Sequence, residues 1–125
     1  MIMPGHLPVW RRILGNELPS GGDCVTIGVQ DIHAEARADR AFDYPTLTEL
    51  LAARGHAVRT LDLFDPRAAV RHDLNLPLPA ALHHRFDLLI DIGSLEHVFD
   101  TRQAFINYLA LVRPGGWLCL HVPVS

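Results

Sequence analysis

Phe86-Asp87-Leu88-Leu89-Ile90-Asp91-Ile92-Gly93-Ser94-Leu95-Glu96-His97-Val98 decides how the rest of the chain is read. Its first half is a near-continuous apolar run broken by Asp87, the composition of a central strand buried on both faces of a parallel sheet. Gly93-Ser94 then opens a segment from Leu95 to Val112 with apolar residues at Val98, Ala104, Phe105, Tyr108, Leu109 and Val112, roughly at helical spacing. Two helical pieces are expected there, broken near Asp100. Arg113-Pro114-Gly115-Gly116 forces a turn, since proline stops a helix and glycine accepts positive φ. Trp117 to Val122 follows as a strand.

Working backwards, Cys24-Val25-Thr26-Ile27-Gly28 reads as a first central strand after the turn signal Ser20-Gly21-Gly22-Asp23. Tyr44 to Arg54 is helical, with Leu47, Leu50, Leu51 and Ala53 on one stripe, Pro45 and Thr46 in the first turn and Gly55 as C-cap. It feeds a strand from His56 to Leu61 that ends in the acidic pair Asp62 and Asp65. A shorter strand, Ala69 to His72, is closed by Asp73-Leu74-Asn75. Pro8 to Leu14 reads as a short helix carrying Trp10. Strands alternating with helices imply βαβ units around a mainly parallel sheet. The division expected is an N-terminal helix and linker over 1–22 and a core over 23–125.

The 125 residues suit one domain, and the net charge of −3 with 11 basic against 14 acidic residues leaves no basic face for nucleic acid or anionic lipid. No stretch approaches the roughly 20 apolar residues of a membrane span, and Met1 to Pro8 lacks a charged region followed by an apolar one. A cytoplasmic protein is expected. Neither cysteine lies in a zinc-ligand spacing, and the eight histidines, with His83 and His84 adjacent, form no HxxxH pair, so no metal is expected. Ser94 sits outside a GxSxG elbow. A chain without lysine has no P-loop.

The pairing of Phe86–Val98 with Leu111-Val112-Arg113-Pro114-Gly115-Gly116-Trp117-Leu118 resembles the fourth and fifth strand region of class I S-adenosylmethionine-dependent methyltransferases. The resemblance implies a Rossmann-like α/β fold, strand order 3-2-1-4-5, helices on both faces, and S-adenosyl-L-methionine as methyl donor to an unidentified acceptor. It puts Asp91, Ile92, Gly93, Glu96 and His97 near the reacting centre, with His97 or Asp91 to take a proton from the acceptor where one must leave. It further assigns Asp62, with Asp65 as alternative, to the ribose hydroxyls, Asp73 to the adenine amine and Leu74 to the ring face. In that strand order Cys24 and Cys119 stand about 9.6 Å apart, beyond the roughly 7 Å a disulfide tolerates. Both cysteines are expected to be reduced and structural.

Two departures accompany the resemblance. Class I enzymes usually carry GxGxG after strand one, whereas this chain has Gly28-Val29-Gln30-Asp31. That sequence, with Asp73-Leu74-Asn75 and Leu95-Glu96-His97-Val98-Phe99, is similar to a methyltransferase-like subgroup in which Gln30 or Asp31 takes over polar contacts to the methionine end beside Gly28. The sequence ends where the family's C-terminal hairpin would follow, so the expectation is that either the sequence is a fragment or a partner or second copy covers the open edge of strand five. These departures motivate the competing reading of a non-catalytic methyltransferase-like binding module. A nicotinamide oxidoreductase ranks last for want of GxGxxG. Beside each assignment stands a plainer one: Asp62 and Asp65 as turn residues, Asp73 in an Asx turn with Asn75, and Glu96 as a helix-dipole carboxylate with His97 a packed imidazole.

Overall fold

In a computed structural model that describes residues 1–123, the strands Gly22–Ile27 (β1), His56–Asp62 (β2), Val70–Arg71 (β3), Phe86–Ile92 (β4) and Val112–His121 (β5) form a single sheet. Its order is β3-β2-β1-β4-β5 and every pairing is parallel, the arrangement expected from the sequence. The last two residues of the expected 23–125 core lie outside the described residues.

Side chains of a strand alternate between faces, and the apolar runs of β1 and β4 fill both. Cys24, Leu88, Ile90 and Ile92 point to one side, where Trp10 of helix α1 (Leu7–Arg12) and Leu47, Leu50 and Leu51 of helix α2 (Leu47–Ala53) cover them. Val25, Ile27 and Leu89 point to the other and meet Ala104, Tyr108 and Leu111 of helix α3 (Thr101–Leu111). Each fully buried leucine contributes about 1.5–3 kcal/mol by leaving water. Cys24 and Cys119 are free thiols; burial pushes Cys24 up to about 12 and Cys119 up to about 11.

Several boundaries differ from expectation for identifiable reasons. Helix α2 begins at Leu47, because Thr46 stands outside it in extended conformation and its hydroxyl accepts from the Glu49 N–H at 3.4 Å. The first helical segment runs from Pro4 through a 3₁₀ turn, α1 and a π turn to Glu17. Trp10 within it and Ile2 before it are fully buried in the core, and Ile2 bridges Ile32. Asp100 caps α3 by accepting from the Gln103 N–H at 2.9 Å, where the helical break was expected.

The expected turn at Arg113-Pro114-Gly115-Gly116 is instead a bulge within β5. Val112 pairs with Phe86 and Trp117 with Leu88, so the four residues between them face Asp87 alone. Pro114 has no N–H to give a ladder, Gly115 takes φ +81°, and a Cβ on Gly116 would stand 2.8 Å from the Asp87 carbonyl oxygen.

Candidate functional site

The strand order reverses between β1 and β4, and in open parallel sheets the crevice at the carboxyl ends of such strands is where ligands sit. Here that crevice is a cavity of about 250 Å³. Of the residues proposed from sequence, it brings together Gly28 after β1, Asp62 at the end of β2, Asp73 and Leu74 after β3, and Gly93 and His97 after β4.

Gly28 has φ +73°, and a Cβ there would lie 2.8 Å from Ser94 Oγ. The backbone at this point needs glycine on both counts, conformational and steric. Ser94 holds the approach, its hydroxyl donating to the Ile27 carbonyl at 3.1 Å. Asp62 Oδ1 accepts from the N–H groups of Phe64 (2.9 Å) and Asp65 (3.2 Å), and Oδ2 accepts from Val29 N–H at 3.3 Å. A carboxylate offers about four lone-pair sites, so Asp62 retains acceptor capacity towards the cavity. Asp65, the alternative, faces elsewhere: Arg67 holds it at 2.9 Å and holds Asp31 at 2.9 Å as well. That guanidinium keeps the Asp65 carboxyl below the usual carboxylate range.

Asp73 forms the Asx turn weighed above, with Oδ1 accepting from both the backbone N–H and the side-chain amide of Asn75 at 2.9 Å each. These bonds hold its carboxyl below the ordinary value. Its other oxygen carries no protein hydrogen bond among the described residues. The turn and a ligand contact are therefore compatible: one oxygen fixes the loop and the second is free.

Three assignments meet a different geometry. Asp91 is fully buried and does not line the cavity. Its Oδ1 accepts from Ser94 N–H (2.8 Å), and its Oδ2 from Leu95 N–H (2.9 Å) and Tyr108 Oη (2.7 Å). A carboxylate so enclosed positions the loop after β4 and does not face the cavity, in contrast to the expectation that it takes a proton or touches cofactor. Gln30 is buried with Nε2 donating to the Ile27 carbonyl at 3.1 Å and Oε1 accepting from the Met1 amino group at 2.7 Å. Asp31 is clamped by Arg67. Neither lines the cavity; both brace the loop after β1.

His97 closes a 3₁₀ turn at Leu95–His97, with its side chain 80% exposed and Nε2 4.0 Å from Glu96 Oε1. It is the titratable group of the β4 loop that lines the cavity. Leu63 and Phe64 also line it and were not singled out from sequence. Phe64 is 83% exposed, and an aromatic two residues after a strand-terminal aspartate is the signal that points to it. Among the described residues, no group of three metal-ligating side chains occurs, and no helix is long and apolar enough to cross a membrane.

The cavity lining combines two carboxylates, Asp62 and Asp73, with the apolar side chains of Ile27, Leu61, Leu74 and Val98, the mixture typical of a small-molecule site.

No protein-family model matches the sequence, and no curated protein does. Among solved structures, the chain is similar to a protein from Methanococcus maripaludis described as a candidate S-adenosyl-L-methionine-dependent methyltransferase, with a TM-score of 0.63 and 19% identity over 94% of this chain. The chain spans 55% of that protein's length. Strand order, parallel pairing and this likeness together define a Rossmann-like α/β fold, the one that structure shares.

Proposed function

We propose that the chain binds S-adenosyl-L-methionine in the crevice between β1, β2 and β4 and serves methyl transfer to an acceptor. The observation that carries this reading is the convergence of Gly28, Asp62 and Asp73 on one cavity at the point where strand order reverses. The cofactor supplies an activated methyl group on sulfur. Asp62 receives the ribose hydroxyls, the free oxygen of Asp73 receives the adenine amine, and Leu74 covers the ring. Ser94 and Gly28 keep the backbone close to the cofactor. His97, which lines the cavity, would take the acceptor's proton where one has to leave. Methyl displacement rests chiefly on holding the reacting groups in line, so a site with few chemically active side chains is sufficient.

A non-catalytic binding module is favoured by one specific observation: Gln30 and Asp31, the residues suggested for the methionine end, are engaged elsewhere. Calorimetry with S-adenosyl-L-methionine and S-adenosylhomocysteine tests the cofactor claim. Saturable binding of both is expected. No binding below about 1 mM, the weak end of small-ligand affinity, removes the claim for this chain. Binding of both without methyl transfer to any acceptor offered leaves the non-catalytic reading in place.

A further inference from the structure

Parallel strands need a crossover of a dozen or more residues, usually a helix. The connection from β3 to β4, residues 72–85, has only a 3₁₀ turn at Ala80–Leu82. Its Leu74 and Leu78 cover Val25, Ile27 and Leu61 near the carboxyl ends of the strands. The amino ends of β1, β2 and β4 on the same face are left without a helix, and there a cleft of about 730 Å³ opens.

That cleft is lined by three arginines, Arg59, Arg85 and Arg113, with Asp23. Arg113 is neutralised and fixed, donating to Asp23 at 3.1 Å and to Asp87 at 2.9 Å. Arg59 and Arg85 differ: neither has a carboxylate within ion-pairing distance among the described residues. Arg85 uses Nε on the Ala81 carbonyl at 2.9 Å, which orients its plane and leaves both terminal nitrogens to spare. In a chain of net charge −3, two unpaired guanidiniums on one concave surface run against the overall balance. Planar forks of donors match phosphate oxygens two at a time.

We propose that this cleft is a second ligand site, at the opposite end of the sheet from the crevice described above, which takes a small molecule carrying a pyrophosphate-type group. Arg59 and Arg85 grip the phosphate oxygens, Arg113 is held by its two aspartates as the fixed wall, and Leu82 and Ala57 receive the apolar part of the ligand. A volume of about 730 Å³ lies within the range of small-molecule sites. The site requires no residue of the β1–β2–β4 crevice.

Inorganic pyrophosphate is the probe, titrated into the full chain at low salt and followed by calorimetry and by guanidinium resonances in NMR. Saturable binding is expected, with shifts at Arg59 and Arg85. The double variant Arg59→Ala, Arg85→Ala loses at least about tenfold in affinity, the scale of a lost charge-assisted pair. Both side chains are exposed, so its thermal midpoint stays within about 2 °C, the shift that a small surface effect produces. Arg71→Ala with Arg102→Ala, two exposed arginines elsewhere, leaves affinity unchanged. The proposal is overturned by absence of saturable binding up to about 10 mM, or by an equal loss in the control pair, which would mean binding to basic charge in general.

Discussion

Tyr108 donates a hydrogen bond of 2.7 Å to Asp91 Oδ2, tying the middle of α3 to the tip of β4. Both residues are fully buried. With the Ser94 and Leu95 N–H groups on the same carboxylate, this contact fixes the loop that carries Gly93 and His97 into the crevice.

Removing the Tyr108 hydroxyl leaves Asp91 with two backbone donors, so Tyr108→Phe costs about 1.5–3 kcal/mol of stability, the usual loss for a hydrogen bond to a charged group. Asp91→Asn also strands the Leu95 N–H and costs about 1–3 kcal/mol. The two variants differ with pH. Burial raises the Asp91 carboxyl above its ordinary 3.8, against the pull of Tyr108, Ser94 and Leu95. The folded chain then holds this proton more tightly than the unfolded chain does. Wild-type stability from this group is full below about pH 3.8 and declines as pH rises through the elevated folded value. The gap between wild type and Asp91→Asn should narrow across that interval in urea unfolding run at a series of pH values. A gap that widens with pH contradicts the burial-driven shift.

Gly28 sits where neither its φ of +73° nor the 2.8 Å to Ser94 Oγ tolerates a Cβ. Gly28→Ala is expected to lose about 1–3 kcal/mol from backbone strain and crowding. Adding Ser94→Gly removes the hydroxyl contact while leaving the strained φ, so the double variant recovers only part of the loss. Thermal unfolding of the single and double variants checks this, and full recovery would show that φ costs nothing at this position.

Asp62 and Asp73 are expected to differ in what they do without ligand. Asp62→Ala weakens S-adenosyl-L-methionine binding by about 1.5–3 kcal/mol, or roughly 10- to 150-fold. Asp73→Asn keeps an acceptor for the Asn75 N–H, and so keeps the turn, but loses the second carboxylate oxygen. It should weaken binding by a smaller factor, about threefold to tenfold, with unfolding unchanged. Calorimetry on the two variants decides the order, and equal affinities in wild type and Asp62→Ala would take Asp62 out of the site.

The sheet was legible because Phe86–Ile92 and Cys24–Ile27 are apolar on both faces, a pattern that only a central parallel strand satisfies. The resemblance assigns Asp62 and Asp73 to strand ends, and both line the crevice because β2 and the loop after β3 reach the same rim of the sheet. Asp91 was misread for the same reason: from sequence, an aspartate ending an apolar strand looks like a site residue. What distinguishes it is Tyr108, seventeen positions on, which brings a hydroxyl to the buried carboxylate only once α3 packs on β4. Gln30 and Asp31 were misplaced because their partners, Ile27 carbonyl and Arg67, depend on how the loop after β1 folds back. The cleft at the other end of the sheet had no sequence signal, since it arises from a crossover that lacks a helix.

Asn107 carries the last consequence of that missing helix. It is buried on α3, and its side chain accepts from Leu78 N–H at 3.1 Å while donating to the carbonyls of Leu74 (3.2 Å) and Leu76 (2.8 Å). One amide thus satisfies three backbone groups of a connection with no helical ladder to satisfy them. Asn107→Leu fills the space but strands the Leu78 N–H and the Leu74 carbonyl, while the Leu76 carbonyl keeps its bond to His72 Nε2 at 3.0 Å, with an expected loss of about 2 kcal/mol at the lower end for two buried unpaired groups. The effect reaches the crevice, because Leu74 lines it. Hydrogen exchange in residues 74–78 should accelerate in Asn107→Leu, and cofactor affinity should fall although no side chain in contact with cofactor has changed. Unaltered exchange there, with stability lost, would place the cost within α3 and disconnect Asn107 from the crevice.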